Sequence, residues 1–443
     1  MNSSQESTPL LTSSKCSEGT FQYHDSSQNE AKDDVSIKLP ENEDYLSDGQ
    51  ALMHLLKASI GIGVLGLPRA LMNAGIVVGP VLLVFIAAAT IHCNHLLVSC
   101  TKRLSINTGK SSFTYGELAD KCVPLLIPRY PNIGSTIVNV LLCMMQLGAC
   151  TSYVLFIVEN VQDALQDLDV IDIKAKLYIP ILLPLLILFC LISDLRTLSW
   201  LSSFANIIML VVFISIYQYL FSHAQQLSEL ENFAGWNALP LFFGASTYAF
   251  EAVAMILPVR SKMKNTNHFP RIINIGMGIS VILYLNMAIF GYMTFQDKCR
   301  GSITLNLPKF KYYSTVKLMV SVAIFCTYFI QIYVFFHILE STITRRLQRK
   351  YRTFAILVIR TTTVGVSCGL AAATPHLNDI ITLVGSTAAC LLSFACPTIF
   401  HWILFSQETT RLLAVKNIVI LLLAFLGCVT GTYVSLKNII LDR

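Results

Sequence analysis

The sequence predicts an all-α polytopic membrane protein of about eleven transmembrane helices, and three observations predict it. Of the 443 residues, 54% are hydrophobic and only 13% charged, whereas a soluble domain is about one quarter charged. The mean hydropathy is +0.61. Apolar stretches of about 20 residues, the helical length that crosses the hydrocarbon core, recur from residue 48 onward. This composition argues against a secreted disulfide scaffold, a nucleic-acid binder and an ordinary cytosolic enzyme.

Residues 1–47 hold nine acidic and three basic side chains and few apolar ones. Such a segment buries too little surface to offset its ordering entropy, so a disordered acidic cytoplasmic tail is expected. The first forty residues lack the apolar core of a signal peptide, which leaves insertion to the first span.

Eleven spans follow, at roughly 48–72, 76–101, 132–158, 176–193, 197–221, 236–258, 272–295, 314–340, 353–374, 377–404 and 412–435. Together they make one membrane domain over 48–435, with 436–443 as a short extracellular or lumenal C-terminus. Lys and Arg set the orientation. With the N-terminus inside, the cytoplasmic connections carry Lys102, Arg103, Arg260, Lys262, Arg349 and Lys350, among others. The opposite side carries Asp163, Asp167 and Glu231, with Lys298, Arg300, Lys309 and Lys311 voting the other way.

The first span contains Gly61-Ile62-Gly63-Val-Leu-Gly66-Leu-Pro68. Three glycines and a proline within eight residues make poor material for a continuous helix. A helix broken at mid-membrane offers amide donors on one half and carbonyls on the other, an arrangement that suits a carboxylate-bearing substrate and a cation. Close helix packing through small residues explains the same glycines.

The sixth span reads Gly244-Ala-Ser-Thr-Tyr-Ala249-Phe250-Glu251-Ala252 and ends near Pro258. A carboxylate in an apolar run is a functional candidate by default, and a structural bond to a neighbouring amide is the alternative. If spans 1–5 and 6–10 form an inverted repeat, both interruptions flank one midplane site. His54 lies in the first span with Lys57 one turn on, and either handles a proton or is a satisfied core histidine. Tyr153, Gln146, Asn206 and Gln331 are weaker polar candidates, with interhelical contacts as the common explanation. The thirteen cysteines show no C-x-x-C pair or metal spacing, and no catalytic or phosphate-binding motif stands out.

These strings resemble the proton-coupled amino acid transporters of the amino acid/auxin permease superfamily. The similarity begins at Leu52-Met-His54-Leu-Leu-Lys57 and the glycine motif. It continues through Asn73-Ala-Gly-Ile-Val-Val-Gly-Pro80, Gln146-Leu-Gly148, Leu241-Phe-Phe-Gly244, Ala249-Phe-Glu251 and Gly301-Ser-Ile-Thr-Leu-Asn-Leu-Pro308. The resemblance implies a LeuT-like 5+5 inverted repeat with helices 1 and 6 broken and a cytoplasmic N-terminus. It also implies symport of a proton with a small neutral amino acid such as glycine, alanine or proline. His54 and Glu251 then become the proton-coupling pair. Ser59, Gly61, Ile62, Gly63, Tyr153, Ala249, Phe250 and Glu251 become the substrate-binding set, with no cofactor beyond the proton as coupling ion. The chain departs from the family at Ile62, commonly threonine, and at Ala252 and Ala254, commonly glycines. It departs again at Phe335-Phe336-His337, commonly Pro-Ala-Glu.

The tail string Glu6-Ser-Thr-Pro-Leu10-Leu11 looks like an acidic dileucine signal, which would engage sorting adaptors through Glu6, Leu10 and Leu11. The expected residence is the plasma membrane or a lysosomal or endosomal membrane. Two other readings stay open: an amino-acid sensor with little flux, and a proton-independent facilitator.

Overall fold

The computed structural model describes residues 45–110, 112–126, 128–130, 132–170, 173–191, 195–226, 230–344 and 348–441. The acidic tail to residue 44, with its dileucine-like string, lies outside them. The described residues fold into helices, and their one β-contact is an isolated bridge between Leu46 and Met263.

The first span enters as α1 (Asp48–Ser59), opened by a capping box in which Ser47 Oγ accepts from Gln50 N and Gln50 Oε1 accepts from Ser47 N. After Ile60 and Gly61 the chain restarts as α2 (Ile62–Met72), bent by 51° from α1. Next come α3 (Val78–Thr108), ended by left-handed Gly109, and the short helix α4 (Tyr115–Cys122). Then follow α5 (Ile133–Asp167), α6 (Ile179–Cys190) and α7 (Leu195–His223).

The sixth span is α8 (Leu239–Ala249) and α9 (Val253–Ser261), followed by α10 (Phe269–Phe295), α11 (Lys311–Thr344) and α12 (Arg349–Ala373). The tenth is α13 (Leu377–Val384) and α14 (Cys396–Leu404), joined by two π-helical turns, and α15 (Arg411–Leu441) ends the chain.

Among the described residues nine helices are long and apolar enough to cross a membrane, and the bent pair α1–α2 makes a tenth. The expected count of eleven is not reached on length and composition. The stretch expected as a span at 176–193 is the shorter apolar helix Ala175–Cys190, below the ~20 residues that cross the core untilted. The last helix continues past residue 435 to Leu441. The sixth span is interrupted at Phe250–Ala252, yet its halves run on as one span without the sharp bend of the first.

Burial ranks the spans. Of the most apolar stretch, 72% is buried in both Leu239–Ser261 and Leu377–Leu404, against 17% in Arg411–Leu441. The sixth and tenth spans are therefore central and α15 is peripheral. Val81, Ile181, Leu210 and Ile282 are exposed apolar side chains on outward helix faces, as lipid contact requires.

Two sets of contacts hold the interrupted spans in place. At one end, Leu46 N donates to Lys262 O and Lys264 N to Leu46 O, so the start of α1 sits beside the end of α9. At the other end, the connection before α11 folds over α2 and α5. Arg69 donates to Cys299 O, Thr304 to Asn160 Oδ1, and Arg300 pairs with Asp163 at 2.8 Å. Beneath it Lys317, 1% exposed, lies between Asp163 at 2.5 Å and Asp167 at 2.6 Å.

Candidate functional site

A cavity of about 50 Å³ opens where the first and sixth spans are interrupted. Ser59, Gly61, Ile62 and Gly63 line it from the first span, and Tyr248, Ala249 and Glu251 from the sixth. Tyr153 and Ala149 of α5 and Gln331 of α11 complete the wall. One water needs about 10–15 Å³ by a comparable measure, so the space suits a few waters or a molecule near the size of glycine or alanine.

Backbone supplies much of the polarity. The N-cap of α2 is Gly61, extended and without a side-chain cap, so the first-turn amides face the cavity region with the positive end of a helix dipole. The carbonyls of Ser59 and Ala249 close α1 and α8 and present the negative ends. The two interruptions touch: a Cβ built on Gly63 would meet Ala249 Cα at 2.8 Å and the Tyr248 ring at 3.3 Å. Gly61 has more room, its nearest neighbour at the Cβ position being the Tyr153 hydroxyl at 3.7 Å. The two sequence readings of the glycines thus both apply, Gly63 to close packing and Gly61 to the open break.

Glu251 lies in the interruption of the sixth span, two residues before α9, with the Ala254 backbone N–H near its carboxylate. Its Oε1 is sealed from solvent and has no hydrogen-bond partner among the described residues. Such an oxygen is a ready acceptor for a proton or an ammonium. Amides on one side and carbonyls with a carboxylate on the other form a site shaped for a small zwitterion.

Of the residues singled out from sequence, the cavity brings together Ser59, Gly61, Ile62, Gly63, Tyr153, Ala249 and Glu251. It leaves out two. Phe250 is buried behind the wall, its ring 4.8 Å from that of Tyr284. His54 is an exposed side chain on α1, outside the lining, with Lys57 and Lys262 as charged neighbours. Gln331 lines the cavity, Gln146 is buried and outside the lining, and Asn206 is exposed.

Sequence reasoning missed Tyr284, whose buried hydroxyl contacts Ser59 O at 2.5 Å and Ala249 O at 2.7 Å. It also missed Lys317 as the partner of Asp163 and Asp167. A lysine inside an apolar span was the available signal for the second; a tyrosine in a span gives none.

Apolar helices of membrane-spanning length surround a small polar cavity at the two interruptions. The family described as transmembrane amino acid transporter protein matches residues 46–437, and the chain belongs to that amino acid/auxin permease family. It is similar to the proton-coupled amino acid transporter-like protein pathetic of Drosophila melanogaster, 28% identical over 413 residues, covering 91% of this chain and 87% of that protein. It is also similar to the amino acid transporter AVT3C of Arabidopsis thaliana, 28% identical over 442 residues, covering 93% of this chain and 98% of the relative.

Proposed function

We propose that the chain carries small neutral amino acids across its membrane together with a proton. The observation that supports this reading is the cavity at the two interruptions, of a size for glycine or alanine and holding the unpartnered Glu251 Oε1. First-turn amides at Gly61–Gly63 hold the substrate carboxylate. Ser59 O, Ala249 O and the Glu251 carboxylate face its ammonium. Glu251 takes the coupling proton within the cavity. His54, outside it, handles protons on the exposed face of α1. Rocking of the interrupted spans against the rest alternates access. We read the N-terminus as cytoplasmic from the Lys and Arg distribution, with the tail available to sorting adaptors at an endosomal, lysosomal or plasma membrane.

The test is uptake of radiolabelled glycine, alanine and proline into liposomes containing the purified chain, at acidic and neutral outside pH. Accumulation driven by the proton gradient is expected. Flux indifferent to pH would replace the proposal with facilitated transport, and binding without flux would replace it with sensing.

A further inference from the structure

Tyr284 stands on α10, outside both interrupted spans, and its side chain is fully buried. Its hydroxyl reaches Ser59 O at 2.5 Å and Ala249 O at 2.7 Å. These carbonyls belong to residues separated by almost two hundred positions and end two different half-helices. A phenol has one proton. Both carbonyls therefore draw on that proton at a point where two negative helix ends converge, and without it they would repel. The ring is fixed from behind by Phe250, which explains why that residue is buried against Tyr284 and does not line the cavity.

We infer that Tyr284 is the positioning residue of the substrate site: its shared proton holds the carbonyls of Ser59 and Ala249 at the spacing from which they receive the substrate ammonium. An ammonium has three donors, so it satisfies one carbonyl directly while the phenol keeps the other, and neither is left bare in the loaded state. The pocket then distinguishes an amino acid from a carboxylic acid lacking the amine through a residue that need not touch the substrate. This inference rests on the proposed amino-acid transport, and deepens it by naming what sets amine recognition.

The experiment compares alanine uptake, and its competition by propionate, in the wild type and in Tyr284→Phe. Loss of one hydrogen bond is expected to raise KM for alanine about tenfold, with propionate inhibition changed far less. The preference for the amine-bearing ligand therefore falls. A merely structural tyrosine would weaken both ligands alike and leave the preference unmoved, which would overturn the assignment. If Y284F does not fold, 3-fluorotyrosine at the same position decides. It has nearly the same shape and donates more strongly, so it should raise the preference, and an unmoved preference overturns the assignment. A wild type that neither binds nor transports alanine overturns the transport reading itself, an outcome distinct from a transporting wild type whose Y284F variant keeps its preference.

Discussion

Gly63 and Ala249 pack so closely that a Cβ on the glycine would stand 2.8 Å from the alanine Cα. This contact joins the second half of the first span to the first half of the sixth. A backbone carbon cannot swing aside as a flexible side chain does, so Gly63→Ala must part the two helices. Overpacking of this kind costs about 1–3 kcal/mol. Gly63→Ala is therefore expected to lower the melting temperature of the purified protein relative to wild type, and an unchanged melting temperature would show that the two helices part without cost.

Gly61 provides the contrast. A Cβ there meets only the Tyr153 hydroxyl at 3.7 Å, an ordinary contact. Gly61→Ala should leave expression and melting temperature near wild type while narrowing the cavity, and proline uptake should fall before glycine uptake does. Equal uptake of both substrates in the variant would move the substrate away from Gly61.

Much of this arrangement was legible in the sequence. The glycine- and proline-rich run pointed to a break in the first span, and the break falls at Ile60–Gly61, whereas Gly63, Gly66 and Pro68 lie inside the continuous helix α2, where small residues let neighbouring spans approach. Glu251 announces itself because a carboxylate in an apolar span is rare. His54 was harder to place, because a helix position carries an azimuth as well as a depth. The buried residues of α1 are Ala51, Leu55 and Ser59, a stripe spaced by four, and His54 falls one position off it. Tyr284 was not legible at all. Its significance comes from two carbonyls on other spans, brought together only by the fold.

The separate positions of Glu251 and His54 predict separable phenotypes. Glu251 is in the cavity and His54 is not. Glu251→Gln keeps the shape and a hydrogen-bonding oxygen but cannot take up a proton as a carboxylate does. It should abolish acid-stimulated accumulation and raise KM, because the ammonium loses a charged partner.

His54→Ala should abolish proton-coupled flux while expression stays normal and alanine binding measured at equilibrium is unchanged. A variant with wild-type pH dependence would remove His54 from coupling. A variant that loses equilibrium binding would instead place the imidazole near the substrate, against the geometry.

Lys317 tests whether the C-terminal end of α5 and the N-terminal end of α11 are held together by charge. Its ammonium lies between Asp163 and Asp167, Lys317 and Asp167 side chains both being 1% exposed. Arg300 adds a second cation to Asp163. Removing the lysine alone leaves buried Asp167 with only the more distant Lys309 at 3.8 Å, and breaking a buried pair costs up to about 3–5 kcal/mol where the remaining charge is left uncompensated. Lys317→Met should therefore lower the melting temperature of the purified protein markedly. Asp167→Asn in the same background removes the stranded charge and should restore part of the loss. If the double variant is no more stable than the single one, the lysine contributes through packing of its methylene chain and not through its charge, and these helix ends are held by apolar contacts.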